Sequence, residues 1–417
     1  MGADVSGCWQ THRMTGTDHT QSPVPFGRHR AQPSSFPHGH TLGDTRDDTG
    51  GMRQAGGPAK PFRCGIVPPY LLARLAEVDD PRFSAAAEAA RKSLRVDDPI
   101  RSLRLGERRT TALPTLPVDA VPGVATRTIS DAGHLERLPG RVVRVEGAPP
   151  VADVAVNEAY DGLGDTHELY WSQYLRDSID GRGLPLDATV HYGREYDNAF
   201  WDGERMVFGD GDGEVFNRFT ISLSVIAHEL THGVTQYSAN LAYQGQSGAL
   251  NESVSDVFGA LVEQYAAGQD VQSASWLIGA GLFTEQVQGQ ALRSMRAPGT
   301  AYDDDVLGKD PQPDSMSGYI ETEDDYGGVH LNSGIPNRAF YLVAEAIGGN
   351  AWEAAGQIWY DTITGPNLTT TSDFATFAAA TATAAVARYG EGSTEHDAVL
   401  AGWDGVGLGV GPLQAAS

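Results

Sequence analysis

Two histidines four residues apart, within TISLSVIAHELTHGVTQYSAN at residues 220–240, restrict the fold more than any other feature of this chain. On an α-helix such residues differ by only ~40° in azimuth and ~6 Å in height, so His228 and His232 project from one face and can share a metal ion. Glu229 is rotated by ~100° and stands beside such an ion, not on it. Two neutral imidazoles as ligands, with a carboxylate close enough to take a proton from bound water, are what metal-assisted hydrolysis requires. A buried helix whose histidines merely hydrogen-bond in the core is the competing reading of these five letters.

A third ligand has to come from a neighbouring element. SGALNESVSDVFGALVEQY repeats apolar residues at helical spacing and offers Glu252, twenty residues after His232. Asp256 lies one turn further on, where it can accept the outer N–H of a ligating histidine and fix its tautomer. Two histidines and one carboxylate leave a fourth position for water, the pattern of a catalytic zinc site. Zinc peptidases with a third histidine six residues beyond the second, and a glycine between, are excluded, because Thr235 and Ser238 occupy those places.

Composition narrows the surroundings. The chain of 417 residues is long enough for two core-forming domains with extra segments. No run approaches ~18 consecutive apolar residues, which argues against a membrane span. The net charge of -24 repels nucleic acid and anionic membranes; it reads as a solvating acidic surface, with a preference for basic peptides as the alternative. Only Cys8 and Cys64 occur, so no disulfide or thiolate metal site can form beyond residue 64, and a metal there must use nitrogen and oxygen. The first twenty residues lack the basic start and apolar core of a secretory signal, although Met-Gly-Ala-Asp-Val-Ser fits the loose myristoylation pattern.

Four stretches follow one another. Residues 1–60 are rich in Gly, Pro, Thr, His and Arg, with no apolar period, and read as a disordered leader; five histidines there could take up adventitious metal. Residues 61–112 carry GIVPPYLLARLAEVDD and PRFSAAAEAARKSLRV, a rigid Pro68-Pro69 step before two helical stretches. Such a unit is too small for much of a core and should pack on something else. After the linker RRTTALPTLPVDAVPG, residues 113–260 mix strand signals (RVVRVEG, ATVHYG, RMVFGDG) with one long amphipathic segment at 151–180. From 261 to 417 the periodic stretches are helical.

With DNAFWDGERMVFGDGDG, VIAHELTHGVT, SGALNESVSDVFG, LRSM and YGGVHLNSGIPNRAFY in this order, the chain resembles the thermolysin-like zinc metallopeptidases (M4) over residues 61–417. GIVPPYLL is similar to the start of the short propeptide of their protealysin-like branch. The resemblance implies an α+β fold of two domains, one mixed and β-rich, one helical, with the zinc cleft between them and a small helical propeptide in front. It implies a zinc-dependent neutral endopeptidase made as a zymogen, with a peptide or protein as substrate and its own propeptide as intramolecular inhibitor. His228, His232 and Glu252 would bind zinc, in agreement with the spacing, and Glu229 would be the general base. His330, oriented by Asp325, and Tyr243 would donate to the oxyanion of the tetrahedral intermediate, where charge appears only near the transition state.

The resemblance also implies that Asn198 and Ala199 form an edge strand that pairs with an extended substrate backbone, and that Arg293 holds a substrate carbonyl. Phe216, Phe219, Val225, Ile278, Leu282 and Leu292 fall where the family lines the pocket for the residue after the scissile bond. All six are apolar, which implies a bulky hydrophobic residue there, at ~0.8 kcal/mol per buried methylene. Read without the family, each could be simple core.

The carboxylate-rich double calcium site of thermolysin is largely missing: Ser224 precedes the zinc helix, SASWLIGA at 273–280 has no acid, and Glu263 stands alone. Calcium needs six to eight oxygens, so its binding is expected to be weak or absent. A catalytically silent zinc-binding adhesion or scaffold protein remains the alternative, although binding alone needs neither Glu229, Tyr243 nor His330; an aminopeptidase would need an acidic clamp for the substrate amine, which no motif supplies. Cys64, in FRCGIVPPYLL, could silence the precursor as a zinc thiolate; occlusion by PPYLL is the other route. The expected location is outside the cell by a route without a recognisable signal peptide, or the cytoplasm.

Overall fold

The computed structural model describes residues 65–102 and 121–411. The leader at 1–60, both cysteines and the linker up to residue 120 fall outside the described residues.

The Pro68-Pro69 step starts the first helix: Pro68 is extended at φ -62° and ψ 144°, and α1 (Pro69–Ala76) begins on the second proline, whose missing N–H would have been unsatisfied in any case. α2 (Ser84–Ser102) turns Ala86, Ala87, Ala89 and Ala90 inward. As expected of so small a unit, it has no core of its own. Ile66, Leu71, Leu72, Leu75, Phe83, Ala86 and Ala90 belong to the same buried cluster as the rest of the protein. Polar contacts reinforce this: Arg74 donates to the carbonyls of Asp305 (2.8 Å) and Val306 (3.1 Å), and Glu214 accepts the Ala86 N–H at 2.9 Å, relieving an orphan donor in the first turn of α2.

A five-stranded sheet follows, built from β1 (Arg127–Asp131), β2 (Arg141–Val145), β3 (Leu186–Val190), β4 (Ala199–Trp201) and β5 (Met206–Phe208) in the order β2-β1-β3-β5-β4. β1, β3 and β5 run parallel, and β2 and β4 lie antiparallel on the two edges. Strand signals marked β2, β3 and β5, and the family resemblance implied β4; RTISD of β1 has too few apolar residues to announce itself and is held by pairing on both sides. The amphipathic segment forms α3 (Val154–Tyr174), started by Asp153, whose side chain accepts from the Ala155 and Val156 amides, and stopped by Leu175 in the left-handed region.

At the centre α4 (Leu223–Gln236) packs on α5 (Gly245–Ala267). Gly259 permits the close approach, since a Cβ there would meet the Ser224 carbonyl oxygen at 2.7 Å. A short antiparallel pair, β6 (Leu277–Ile278) with β7 (Arg293–Ser294), covers one side. The helical part contains α6 (Asp325–Asn332), α7 (Gly334–Ile347), α8 (Ala354–Thr364), α9 (Phe374–Tyr389) and α10 (Thr394–Gly405) around Phe340, Phe377 and the stacked Trp359 and Trp403. The molecule therefore has the two-part α+β architecture expected, with a helical unit in front of it. α6 departs from a plain helix: Tyr326, Gly327 and Gly328 have φ of 55°, 84° and 73°, so the two glycines supply a turn and only the end of the segment is helical.

Candidate functional site

Helix α4 buries every residue from Ser224 to Thr235, with Val225, Ile226, Leu230 and Val234 filling its apolar contacts. That packing fixes the rotation of the helix and turns His228 and His232 toward α5. Their Nε2 atoms lie 3.0 Å apart, and Glu252 of α5 places one carboxylate oxygen 3.5 Å from each. Each Nδ1 is already committed, that of His228 to Asp256 Oδ1 and that of His232 to Asn251 Oδ1, both at 2.8 Å. Acceptors on that side hold the proton on Nδ1 and leave two Nε2 lone pairs converging with a carboxylate. Such a donor set repels itself unless a cation or a proton is shared, and two nitrogens with one carboxylate suit zinc.

The acid–base groups around this cluster are strongly perturbed. Burial disfavours charge on His228, but Asp256 and Glu252 outweigh it and raise its pKa to about 9. At His232 burial wins and lowers the pKa to about 4. Burial likewise raises Glu229 well above the usual carboxyl range, against the opposing pull of His228. One Glu229 oxygen accepts the Trp201 N–H at 2.9 Å; the other is buried with no hydrogen-bond partner among the described residues, a carboxylate oxygen held ready for a proton.

Asp256 ties the two helices to the rest. It accepts from His228, from both Nε and Nη2 of Arg293 at 2.8 Å, and from the Asn337 amide at 2.8 Å. Burial pushes this carboxyl up, but Arg293 and His228 overcome it and hold it at about 2. Opposite Glu252, His330 gives Nδ1–H to Asp325 at 2.6 Å, while its Nε2 lies 3.3 Å from the Tyr243 hydroxyl. Burial opposes charge on His330, yet Asp325 and Glu252 raise its pKa. The Tyr243 hydroxyl also donates to Glu252.

The chain itself enters this cleft. Ile66 donates its N–H to the Ala199 carbonyl (3.0 Å), and Val67 donates to Asn198 Oδ1 (2.9 Å). Gly65 forms an antiparallel bridge with Phe200, its carbonyl oxygen 3.2 Å from His330 Nε2. The Ile66 carbonyl accepts from Arg293 Nη1 at 3.1 Å. Residues 65–67 thus lie along the open edge of β4, joined to it by one antiparallel bridge, with Ile66 fully buried.

The structure brings His228, Glu229, His232, Tyr243, Glu252, Asp256, Arg293, Asp325 and His330 together, with Asn198 and Ala199 on the adjacent edge. Phe216, Phe219, Val225, Ile278, Leu282 and Leu292 are all buried in the cluster that also contains Ile66. Glu263 lies against the Ser224 hydroxyl and backbone and the Ser275 hydroxyl. Sequence reasoning missed Asn251 and Asn337, which orient His232 and Asp256, the Trp201 amide on Glu229, and Asp97 of α2, which accepts from the Tyr196 hydroxyl (2.7 Å) and the Asn198 amide (3.2 Å). Asn251 directly precedes Glu252, and its neighbourhood was the one available signal.

Comparison with known proteins gives concordant matches. Residues 147–236 match the thermolysin metallopeptidase catalytic domain, and residues 239–408 match its α-helical domain. An extracellular metalloprotease of Pectobacterium carotovorum subsp. carotovorum is 50% identical over 350 residues, 83% of this chain and 97% of that protein. A thermolysin of Alicyclobacillus acidocaldarius subsp. acidocaldarius is 40% identical over 263 residues, 61% of this chain and 46% of that one. Among solved structures, the precursor of protealysin, a metalloproteinase from Serratia proteamaculans, superposes with a TM-score of 0.75 at 49% identity, covering 83% of this chain and 99% of that one.

Proposed function

Since the chain belongs to the thermolysin-like metallopeptidases (M4), on their protealysin-like branch, and is a metalloprotease, we propose that it is a zinc endopeptidase made as a zymogen, with residues 65–67 as the occluding segment. The observation that carries this reading is the path of those residues: an extended backbone on the edge of β4, its Gly65 carbonyl facing His330 and its Ile66 carbonyl on Arg293. A substrate would take the same place by strand addition, with the residue at the Ile66 position entering the apolar pocket of Phe216, Phe219, Val225, Ile278, Leu282 and Leu292.

His228, His232 and Glu252 would hold zinc, oriented by Asp256 and Asn251. Zinc, when bound, acidifies a water molecule and polarises the peptide carbonyl. Glu229, raised by burial and with one oxygen free, takes the proton of the attacking water and passes it to the leaving nitrogen. His330 and Tyr243 donate to the developing oxyanion, and Asp325 orients the His330 ring through Nδ1. Asn198, Ala199 and Arg293 position the substrate backbone. We assign residues 61–112 to the propeptide, 113–260 to the β-rich catalytic part and 261–417 to the helical part. Calcium is expected to contribute little, because Glu263 is engaged by the Ser224 and Ser275 hydroxyls and the Ser224 backbone. The extracellular name of the Pectobacterium relative supports export.

The experiment is hydrolysis of casein and of an aminoacyl anilide by unprocessed Ile66→Asp, unprocessed Cys64→Ser and wild type. A charge in the apolar pocket should expel the segment, so Ile66→Asp is expected to digest casein early, with no anilide cleavage. Cys64→Ser is expected to be as latent as wild type. Latency unchanged by Ile66→Asp but lost in Cys64→Ser would move the block to the thiol.

A further inference from the structure

A second group of metal-ligating side chains lies outside the cleft, where the parallel strands end. β1, β3 and β5 are neighbours in the sheet, and the loop leaving the C-terminal end of each contributes one side chain: His134 three residues after β1, His191 one residue after β3, and Asp210 two residues after β5. Crevices outside the carboxyl ends of parallel strands are where such sheets place ligands, because the loops converge there on a rigid frame. His191 Nδ1 lies 2.9 and 3.0 Å from the two Asp210 oxygens, and His134 Nδ1 lies 3.2 Å from Asp210 Oδ2. The two rings are 5.4 Å apart and tilted by 55°, without stacking.

We propose that His134, His191 and Asp210 form a second, structural zinc site. Tetrahedral ligands ~2.0–2.1 Å from zinc sit ~3.3 Å from one another, close to the 2.9–3.2 Å that separate Asp210 from each histidine, and all three ligand atoms lie within 4.8 Å of one another. The surroundings supply what a ligating histidine needs on its far side: His191 Nε2 lies 2.8 Å from Asp153 Oδ2, so the outer N–H has a carboxylate acceptor and Nδ1 is left to bind metal. The same arrangement, with the nitrogens exchanged, joins His228 to Asp256 in the cleft. Two imidazoles and a single carboxylate select a borderline cation of the zinc class over calcium, which would want many more oxygens.

His191 held as an imidazolium between Asp153 and Asp210 would account for that residue alone, and its pKa is raised to about 9, chiefly by the Asp210 hydrogen bond against burial. It does not account for His134, whose imidazole is 55% exposed and nevertheless turned onto the same carboxylate. Nor does it explain why both histidines have left-handed backbones, at φ 63° and 54°, which L-residues adopt only where surrounding structure imposes it. The His134 N–H donates to the His191 carbonyl at 2.9 Å, so the two loops are already clamped in the geometry that pairs their rings. The exposed side of His134 is the entry path, and the overall charge of -24 favours a cation there.

The test is zinc titration of the full-length, metal-stripped chain by calorimetry, with bound zinc counted by mass spectrometry, for wild type, His134→Asn and Asp153→Asn. Asparagine tolerates the left-handed backbone, so His134→Asn removes the ligand without disturbing the turn. The expected result is one zinc fewer per chain in His134→Asn, 10- to 100-fold weaker binding to the second site in Asp153→Asn, and undiminished casein hydrolysis in His134→Asn. Equal zinc content and affinity in wild type and His134→Asn would overturn the assignment, and would leave any extra zinc to the histidines of residues 1–60. Loss of casein hydrolysis together with the zinc would overturn it too, since the missing ion would then be the catalytic one.

Discussion

The two histidine clusters use the same chemistry in opposite settings. In the cleft, His228, His232 and Glu252 sit on two packed helices, with Asp256 behind them and side-chain exposures of 0–7%. At the sheet's end, His134, His191 and Asp210 sit on three loops, with Asp153 behind them and exposures of 18–55%. Helices position ligands by rigid periodicity and burial removes water, which perturbs acid–base groups enough for chemistry. Loops can bring the same groups equally close, but water stays, and the product is a clamp. The difference between a reactive and a structural site here lies in what surrounds the ligands.

Kinetics should separate the clusters most widely. Glu229→Gln keeps the shape beside the cleft cluster and loses the base, so casein hydrolysis is expected to fall by at least ~10² to 10⁴ with zinc retained. Near-normal hydrolysis by that variant would remove the contrast. His134→Asn, assayed beside it, is expected to keep the wild-type rate.

Stability gives the next largest effect. Asp256→Ala would leave Arg293 buried and unpaired, at a cost of ~3–5 kcal/mol in denaturant unfolding. Asp153→Ala removes a helix cap and an accessible partner of His191, and should cost ~1 kcal/mol. Equal losses would mean that burial does not distinguish the two carboxylates. Chelation sharpens the comparison further: phenanthroline should abolish proteolysis, whereas a calcium-selective chelator should shift the melting temperature little. A large drop on calcium removal would reveal oxygen ligands beyond Glu263.

The smallest effect concerns a plain ion pair at the end of β1 opposite the loop cluster. Arg127 and the Tyr160 hydroxyl, against burial, hold Glu146 down from 4.5 to about 2. A depressed acid stabilises above its unfolded pKa, so this contribution should be complete above about pH 4.5 and disappear as pH falls through about 2. In acid titrations followed by circular dichroism, the deficit of Glu146→Gln should narrow over that window; a constant deficit would mean that packing, not charge, sets it.

How readable each part was follows from its geometry. The His228–His232 pair was visible because four residues make nearly one helical turn, and Glu252 because apolar spacing marked α5 as a helix. Pro68-Pro69 announced α1 and VADVAVNEAY announced α3 by the same local rules. Asn337 gave no such signal: it reaches Asp256 from 81 residues away, through the packing of α7 on α5. Asp97 reaches Asn198 across 101 residues.

By itself, the sequence determined most of the helices and strands and the grouping of His228, His232 and Glu252 with Glu229 beside them, since those depend on backbone periodicity and side-chain chemistry within a few turns. Only the tertiary structure decided that residues 65–67 lie along β4 with Ile66 against Arg293, and that His134, His191 and Asp210 meet. Those contacts span 57 residues from His134 to His191 and 227 from Ile66 to Arg293. Proximity across such distances depends on how strands pair and helices pack, and no local period in the chain encodes it.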